Sequence, residues 1–140
     1  MPSLRNYDIF VSHAWQYNQD YYNLINLLLS APNFQFRNYS VPTHDPLVSA
    51  ATPVGLQKLA DLLDTQIRPT QCVLVIAGMY ANHKYWIDKE MAIAESYGKP
   101  MIGLVPWGQQ RVPTGVQERC HEMVHWSTVS IVDAIRRRAL

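Results

Sequence analysis

The chain has 140 residues, 48% of them hydrophobic and 16% charged, with a formal net charge of +1. That length suits one domain over 1–140, and the composition excludes a disordered chain. The near-neutral charge removes any electrostatic argument for binding nucleic acid or an anionic membrane.

YDIFVSH (7–13) predicts a first strand, β-branched and aromatic, closing on polar Ser12 and His13. YYNLINLLLS (21–30) follows, with Tyr21, Leu24, Ile25 and Leu28 spaced as a helical apolar stripe. Asn18 or Asp20 can cap its start, and Pro32 follows its end. FQFRNYS (34–40) alternates as a short, partly exposed second strand. VPTHDPLVSAA is then a long connection, and long connections in compact α/β folds often carry function.

Thr52 before Pro53 reads as a helix start, a cap oxygen followed by proline at the first helical position. Leu56, Leu59, Leu63 and Ile67 form the apolar face, and Pro69 ends the helix. CVLVIAG (72–78) is an unbroken apolar run, as a central parallel strand buried on both faces requires. The next helix runs from about Asn82 or His83 to Tyr97, with Gly98 as its left-handed cap and Pro100 blocking continuation. MIGLVPW (101–107) is a fourth strand, and GQQRVPTGVQERC a loop with a short helix. EMVHWS (122–127) is a fifth strand, and the tail is a helix with Ile131, Ala134 and Ile135 facing inward. Arg136, Arg137 and Arg138 at its end suit the negative pole of the helix dipole better than a bound phosphate.

This alternation implies a doubly wound α/β fold of flavodoxin-like type, a mainly parallel five-stranded sheet in the order 2-1-3-4-5 with helices on both faces. Ligands of such sheets bind at the carboxyl ends of the strands where the winding reverses, here between strands one and three. Ser12, His13 and Ala14 stand at one side of that crevice, and Gly78, Met79 and Tyr80 at the other.

Two cysteines, Cys72 and Cys120, stand in no metal-ligand spacing. Free thiols and a reducing, cytoplasmic setting are expected. MPSLRNYDIF has no apolar signal core, and no run reaches transmembrane length.

Glu90 poses the sharpest question. It shares a helical row with Trp86, Ile93 and Tyr97, beside the apolar line of Ile87, Met91 and Ala94. Either it reaches out to solvent from the edge of the stripe, or it is a carboxylate beside an aromatic wall in the crevice. The second arrangement could stabilise a developing cation or handle a proton. His13 is either an ordinary loop histidine or, with Ser12 and backbone N–H groups, a holder of phosphate or ribose.

Other chemistries find less support. Serine, histidine and a carboxylate suggest a hydrolase triad, but there is no Gly-x-Ser-x-Gly elbow. Walker A and Gly-x-Gly-x-x-Gly patterns are also missing from the sequence. His44 with Asp45 lacks a third metal ligand nearby in sequence, and a strand between His121 and His125 removes helical meaning from their spacing. Trp107, Gly108 and Arg111 suit a packed turn, though they could rim the crevice.

Four segments in order resemble a known family. YDIFVSHAW resembles the opening strand of TIR-like domains (Toll/interleukin-1 receptor type). YSVPTHDPL, YWIDKEMAIAESYGKPMIGLVPWG and EMVHWSTVSIVDAIR are similar to later segments of the bacterial branch found in Thoeris anti-phage defence. Together they span about residues 7–138. The loop VPTHDPL lacks the Arg-Asp…Pro-Gly pattern of animal adaptors, and Ile87 stands where the family usually has cysteine.

The resemblance implies an NAD-cleaving enzyme that releases nicotinamide and makes an ADP-ribose-derived signal nucleotide, such as a cyclic ADP-ribose isomer, which activates a partner effector. NAD would be the substrate, with no cofactor or metal. The implied catalytic residue is Glu90, paired with Trp86. The implied substrate-binding residues of the first strand are Phe10, Ser12 and His13, joined by Asp45 and Tyr80 from the crevice loops. Self-association through TIR surfaces is implied as well. The alternative is a non-catalytic interaction module in which Glu90 is dispensable; a nuclease-like role lacks both an acidic cluster and a basic stripe.

Overall fold

The computed structural model describes residues 5–12, 19–39, 53–77, 84–105 and 114–140. Strands and helices alternate through them: β1 (Asn6–Ser12), α1 (Gln19–Leu29), β2 (Gln35–Asn38), α2 (Pro53–Ile67), β3 (Cys72–Ile76), α3 (Lys84–Ser96), β4 (Met101–Val105), α4 (Thr114–Arg119), β5 (Glu122–His125) and α5 (Thr128–Arg138). The sheet has the order β2-β1-β3-β4-β5, with every neighbouring pair parallel. This is the doubly wound α/β arrangement that the alternation of apolar patterns predicts.

Each parallel pair must be joined by a crossover, and right-handed crossovers fix which face each helix covers. They put α2, α3 and α4 on one face and α1 with α5 on the other. The contacts of α2 with α3 and of α1 with α5 agree. β3 and β4 are therefore covered twice and are buried along their whole length. α1 buries Tyr21, Leu24 and Leu28, and α3 buries Ile87, Met91 and Ala94.

Side chains alternate along a strand, so Phe10 and Ser12 share one face of β1. The register continues from Ser12 through Val75 and Gly103 to Met123 across four strands. Glycine is required in that row by close approach. A Cβ at Gly103 would come within 2.2 Å of Met123 Sδ, so the bare backbone is what lets the thioether lie across β4.

Local signals account for several boundaries. Gly98 has φ 64, and its N–H bonds Glu95 O while that of Lys99 bonds Ala94 O. This left-handed cap ends α3. Asn33 makes the α1–β2 turn with φ 55, a region that asparagine tolerates better than most residues. Asp20 lies inside α1 rather than capping it, and Thr52 lies outside the described residues. β5 ends at His125, earlier than the expected 127, because Ser127 is the N-cap of α5 and its hydroxyl accepts from Ser130 N at 3.4 Å.

The three terminal arginines are more than dipole partners. Arg136 donates to Asn33 O at 2.8 Å and stands over the Phe34 ring. Arg137 grips both oxygens of Glu122, at 2.9 and 2.7 Å, and also bonds Asp133; Arg138 adds a bond to Glu122 at 2.7 Å. Together they tie α5 to the edge strand and to the α1–β2 turn.

The two guanidiniums hold the Glu122 carboxyl down at about 2, below its ordinary 4.5. A carboxyl depressed on folding stabilises above its unfolded value, and the contribution is lost as pH falls through the folded one. Glu122→Gln should therefore lower the Tm at neutral pH, with the gap between the two proteins closing as pH falls from about 4.5 to about 2. Thermal unfolding across that range checks this; a gap that stays constant would mean that Glu122 acts by packing alone.

Cys72 is fully buried in β3 and Cys120 is half-buried after α4; both are free thiols. Burial pushes each up to about 12. His121 accepts at Nδ1 from Met101 N at 3.0 Å, which makes it part of the β4–β5 joint. No helix among the described residues is long and apolar enough to cross a membrane.

Candidate active site

β1 closes on a serine after four hydrophobic residues in five, and that serine is fully buried. A hydroxyl at such a place needs a partner, because an unpaired buried polar group costs roughly 1–3 kcal/mol. The partner is Glu90. Ser12 Oγ donates to Glu90 Oε1 at 2.7 Å, across 78 positions of chain. Glu90 is itself only 1% exposed. The spacing on α3 left open a solvent-facing glutamate; the fold turns its side chain inward, onto the end of β1.

The other carboxylates of α3 show the contrast. Asp88 and Glu95 face outward and pair with Arg119 of α4, at 3.2 and 2.6 Å. Those bonds hold α4 against α3. Tyr97 donates to Asp64 Oδ1 at 2.7 Å and ties α3 to α2, and that carboxylate acceptor raises the phenol's proton affinity. α3 is thus clamped on its outer side by its neighbours while Glu90 alone of its described acidic side chains is turned to the sheet.

A buried carboxylate must be paired and hydrogen-bonded to persist, and such groups concentrate at functional sites. This one stands at the carboxyl ends of β1 and β3, where the winding direction of the sheet reverses. A negative charge fixed there could stabilise a cation that develops on a bound ligand.

The remaining expected site residues divide into two groups. Phe10 is on the same face of β1 as Ser12 and is fully buried, as a ring of the core. His13, Asp45 and Tyr80 lie outside the described residues. Trp86 occupies α3 one turn before Glu90, and only its backbone is among the described parts. Among the described residues, no group of three or more His, Cys, Asp or Glu could hold a metal ion.

Sequence patterns nominated Ser12 and Glu90 separately and missed the bond between them. The available signal was positional: a polar residue ending an apolar strand, and a carboxylate on the helix that leaves the neighbouring strand.

Comparison with known proteins gives the family. A family model described as Thoeris protein ThsB, TIR-like domain, matches residues 10–111. That span runs from β1 past β4 and contains Ser12, Trp86 and Glu90. Among solved structures, the chain is similar to "Structure of Clostridium botulinum CMP N-glycosidase, BcmB", with 10% identity, 92% of this chain and 98% of that one covered, and a TM-score of 0.48. No curated protein matches the chain. The ThsB match takes in well over half of the residues, including both members of the buried pair, and the chain belongs to the family of Thoeris ThsB TIR-like domains.

Proposed function

We propose that this protein cleaves NAD at the nicotinamide–ribose bond and serves anti-phage defence by making an ADP-ribose-derived signal nucleotide that activates a partner effector. The observation that carries the reading is the buried carboxylate of Glu90, held by Ser12 at the switch point of a ThsB-family sheet.

Nicotinamide leaves with the electron pair of the glycosidic bond, and the ribose carbon left behind has oxocarbenium character. The Glu90 carboxylate supplies the opposing charge, and its low-dielectric surroundings strengthen that interaction over what water would allow. A hydroxyl of the same substrate then attacks the ribose carbon and releases its proton, giving a cyclic ADP-ribose isomer; attack by water gives ADP-ribose instead. Excluding water therefore decides between products. Trp86 is the aromatic wall in this reading, with His13, Asp45 and Tyr80 as substrate contacts. Self-association through surfaces of the fold completes the site.

The test is nicotinamide release from NAD by concentrated purified protein, followed by mass spectrometry of the nucleotide product. Release that depends on Glu90 supports the enzyme. No release, even from concentrated protein exposed to a phage-derived trigger, would leave a non-catalytic interaction module.

A further inference from the structure

Ser12 looks from its position in sequence like a group that touches phosphate or ribose. Its surroundings give it a different task. The side chain is fully buried, and its hydroxyl donates to Glu90 Oε1 at 2.7 Å. A serine hydroxyl has one proton to donate, so the donor function is already engaged. A length of 2.7 Å is that of a well-formed hydroxyl hydrogen bond.

The two partners differ in rigidity. Ser12 belongs to β1, which is paired to β3 in register up to Ser12 and Val75. Glu90 reaches the site through a long side chain whose rotations are costly to freeze. The strand thus offers a fixed anchor, and the flexible partner is the one that bears the carboxyl group. An anchor on a strand holds a functional group more tightly than one on a loop.

We propose that Ser12 is a positioning residue for Glu90: its hydroxyl fixes one carboxylate oxygen so that the charge meets the ribose in one orientation, and it does not itself touch the substrate. This rests on the NAD-cleavage reading of the same site. It differs from a plain substrate contact in which kinetic constant it controls. A group that orients the catalytic charge acts on the transition state, whereas a ground-state contact acts on binding.

The experiment is steady-state kinetics of nicotinamide release for the wild type, Ser12→Ala and Ser12→Thr, each checked for folding by thermal unfolding. Positioning predicts that Ser12→Ala lowers kcat by about 10²-fold, as expected for a misplaced catalytic group. KM should stay within about threefold of the wild type. Ser12→Thr keeps the hydroxyl and should recover most of the lost kcat. If the alanine variant does not fold, Ser12→Cys takes its place, with a similar volume and only a weak S–H donor.

A raised KM at unchanged kcat would overturn the proposal in favour of direct substrate contact. Unchanged kcat and KM in Ser12→Ala would overturn it in favour of simple buried pairing. A folded threonine variant as slow as the alanine one would also overturn it. A wild type that releases no nicotinamide would bring down the NAD reading itself, and this proposal with it. The other failures leave an active wild type, so the two cases are distinguishable.

Discussion

Exchanging Glu90 for glutamine is expected to slow nicotinamide release about 10³-fold while the fold is retained. The substitution removes the charge and keeps the size and shape of the side chain. Glutamine's carbonyl oxygen can still accept from the Ser12 hydroxyl, so the buried bond at 2.7 Å keeps both partners. What disappears is the negative charge opposite the developing ribose cation. Losing one preorganised electrostatic contact costs on the order of 10²–10³ in rate, and a full charge in a water-poor setting belongs at the upper end, about 4 kcal/mol of barrier. Stability should not fall with it, because a neutral isostere avoids the desolvation of a buried charge. Nicotinamide release and thermal unfolding on the same preparations check both halves. A glutamine variant with more than about a tenth of wild-type release would exclude Glu90 as the charge that drives cleavage.

Phe10→Ala is expected to cost about 3–5 kcal/mol of folding stability, the usual range for removing a core ring. Phe10 is fully buried and is among the largest side chains to be so. It occupies the second position before Ser12 on the same face of β1, the face that α3 covers. Truncation leaves a cavity below the Ser12–Glu90 bond, and packed strands on both sides of β1 limit how far the site can collapse. Set against a total of roughly 5–15 kcal/mol for a domain, that is a large share. A Tm drop of about 10–20 °C follows for a chain of this size. Urea unfolding measures the loss. A change under about 1 kcal/mol, joined to a raised KM for NAD, would make the ring a substrate contact rather than a core residue.

The sheet was legible because its signals are local. CVLVI and MIGLV are apolar throughout, and only strands covered on both faces tolerate that. Pro53 and Gly98 announce a helix start and a helix end by their backbone chemistry alone. Once the alternation is read, handedness leaves few ways to order five strands.

The site was legible only in part. The row of Trp86, Glu90, Ile93 and Tyr97 runs along the margin of the α3 stripe, and periodicity cannot say how far the helix is rolled about its axis. The packing of α3 decides it: Tyr97 ends up 38% exposed, Ile93 partly covered and Glu90 buried. Bonds between distant segments leave no periodic trace either, so neither the Ser12–Glu90 pair nor the grip of Arg137 and Arg138 on Glu122 follows from spacing. The end of β5 was overestimated because Ser127 suits a strand end as well as a helix cap, and its bond to Ser130 N decides between them.

The state of the two thiols bears on how the protein can be observed. Only Cys72 and Cys120 are present, and each is pushed up to about 12. At pH 8 only a very small share of either thiol would be thiolate, and the thiolate is the reactive form. Maleimide dyes and nitroxide labels should therefore pass over both. A cysteine introduced on the surface would be labelled against a silent background, without removing either native residue. Spectroscopic rulers can then test the proposed nucleotide binding and assembly in the otherwise unaltered chain.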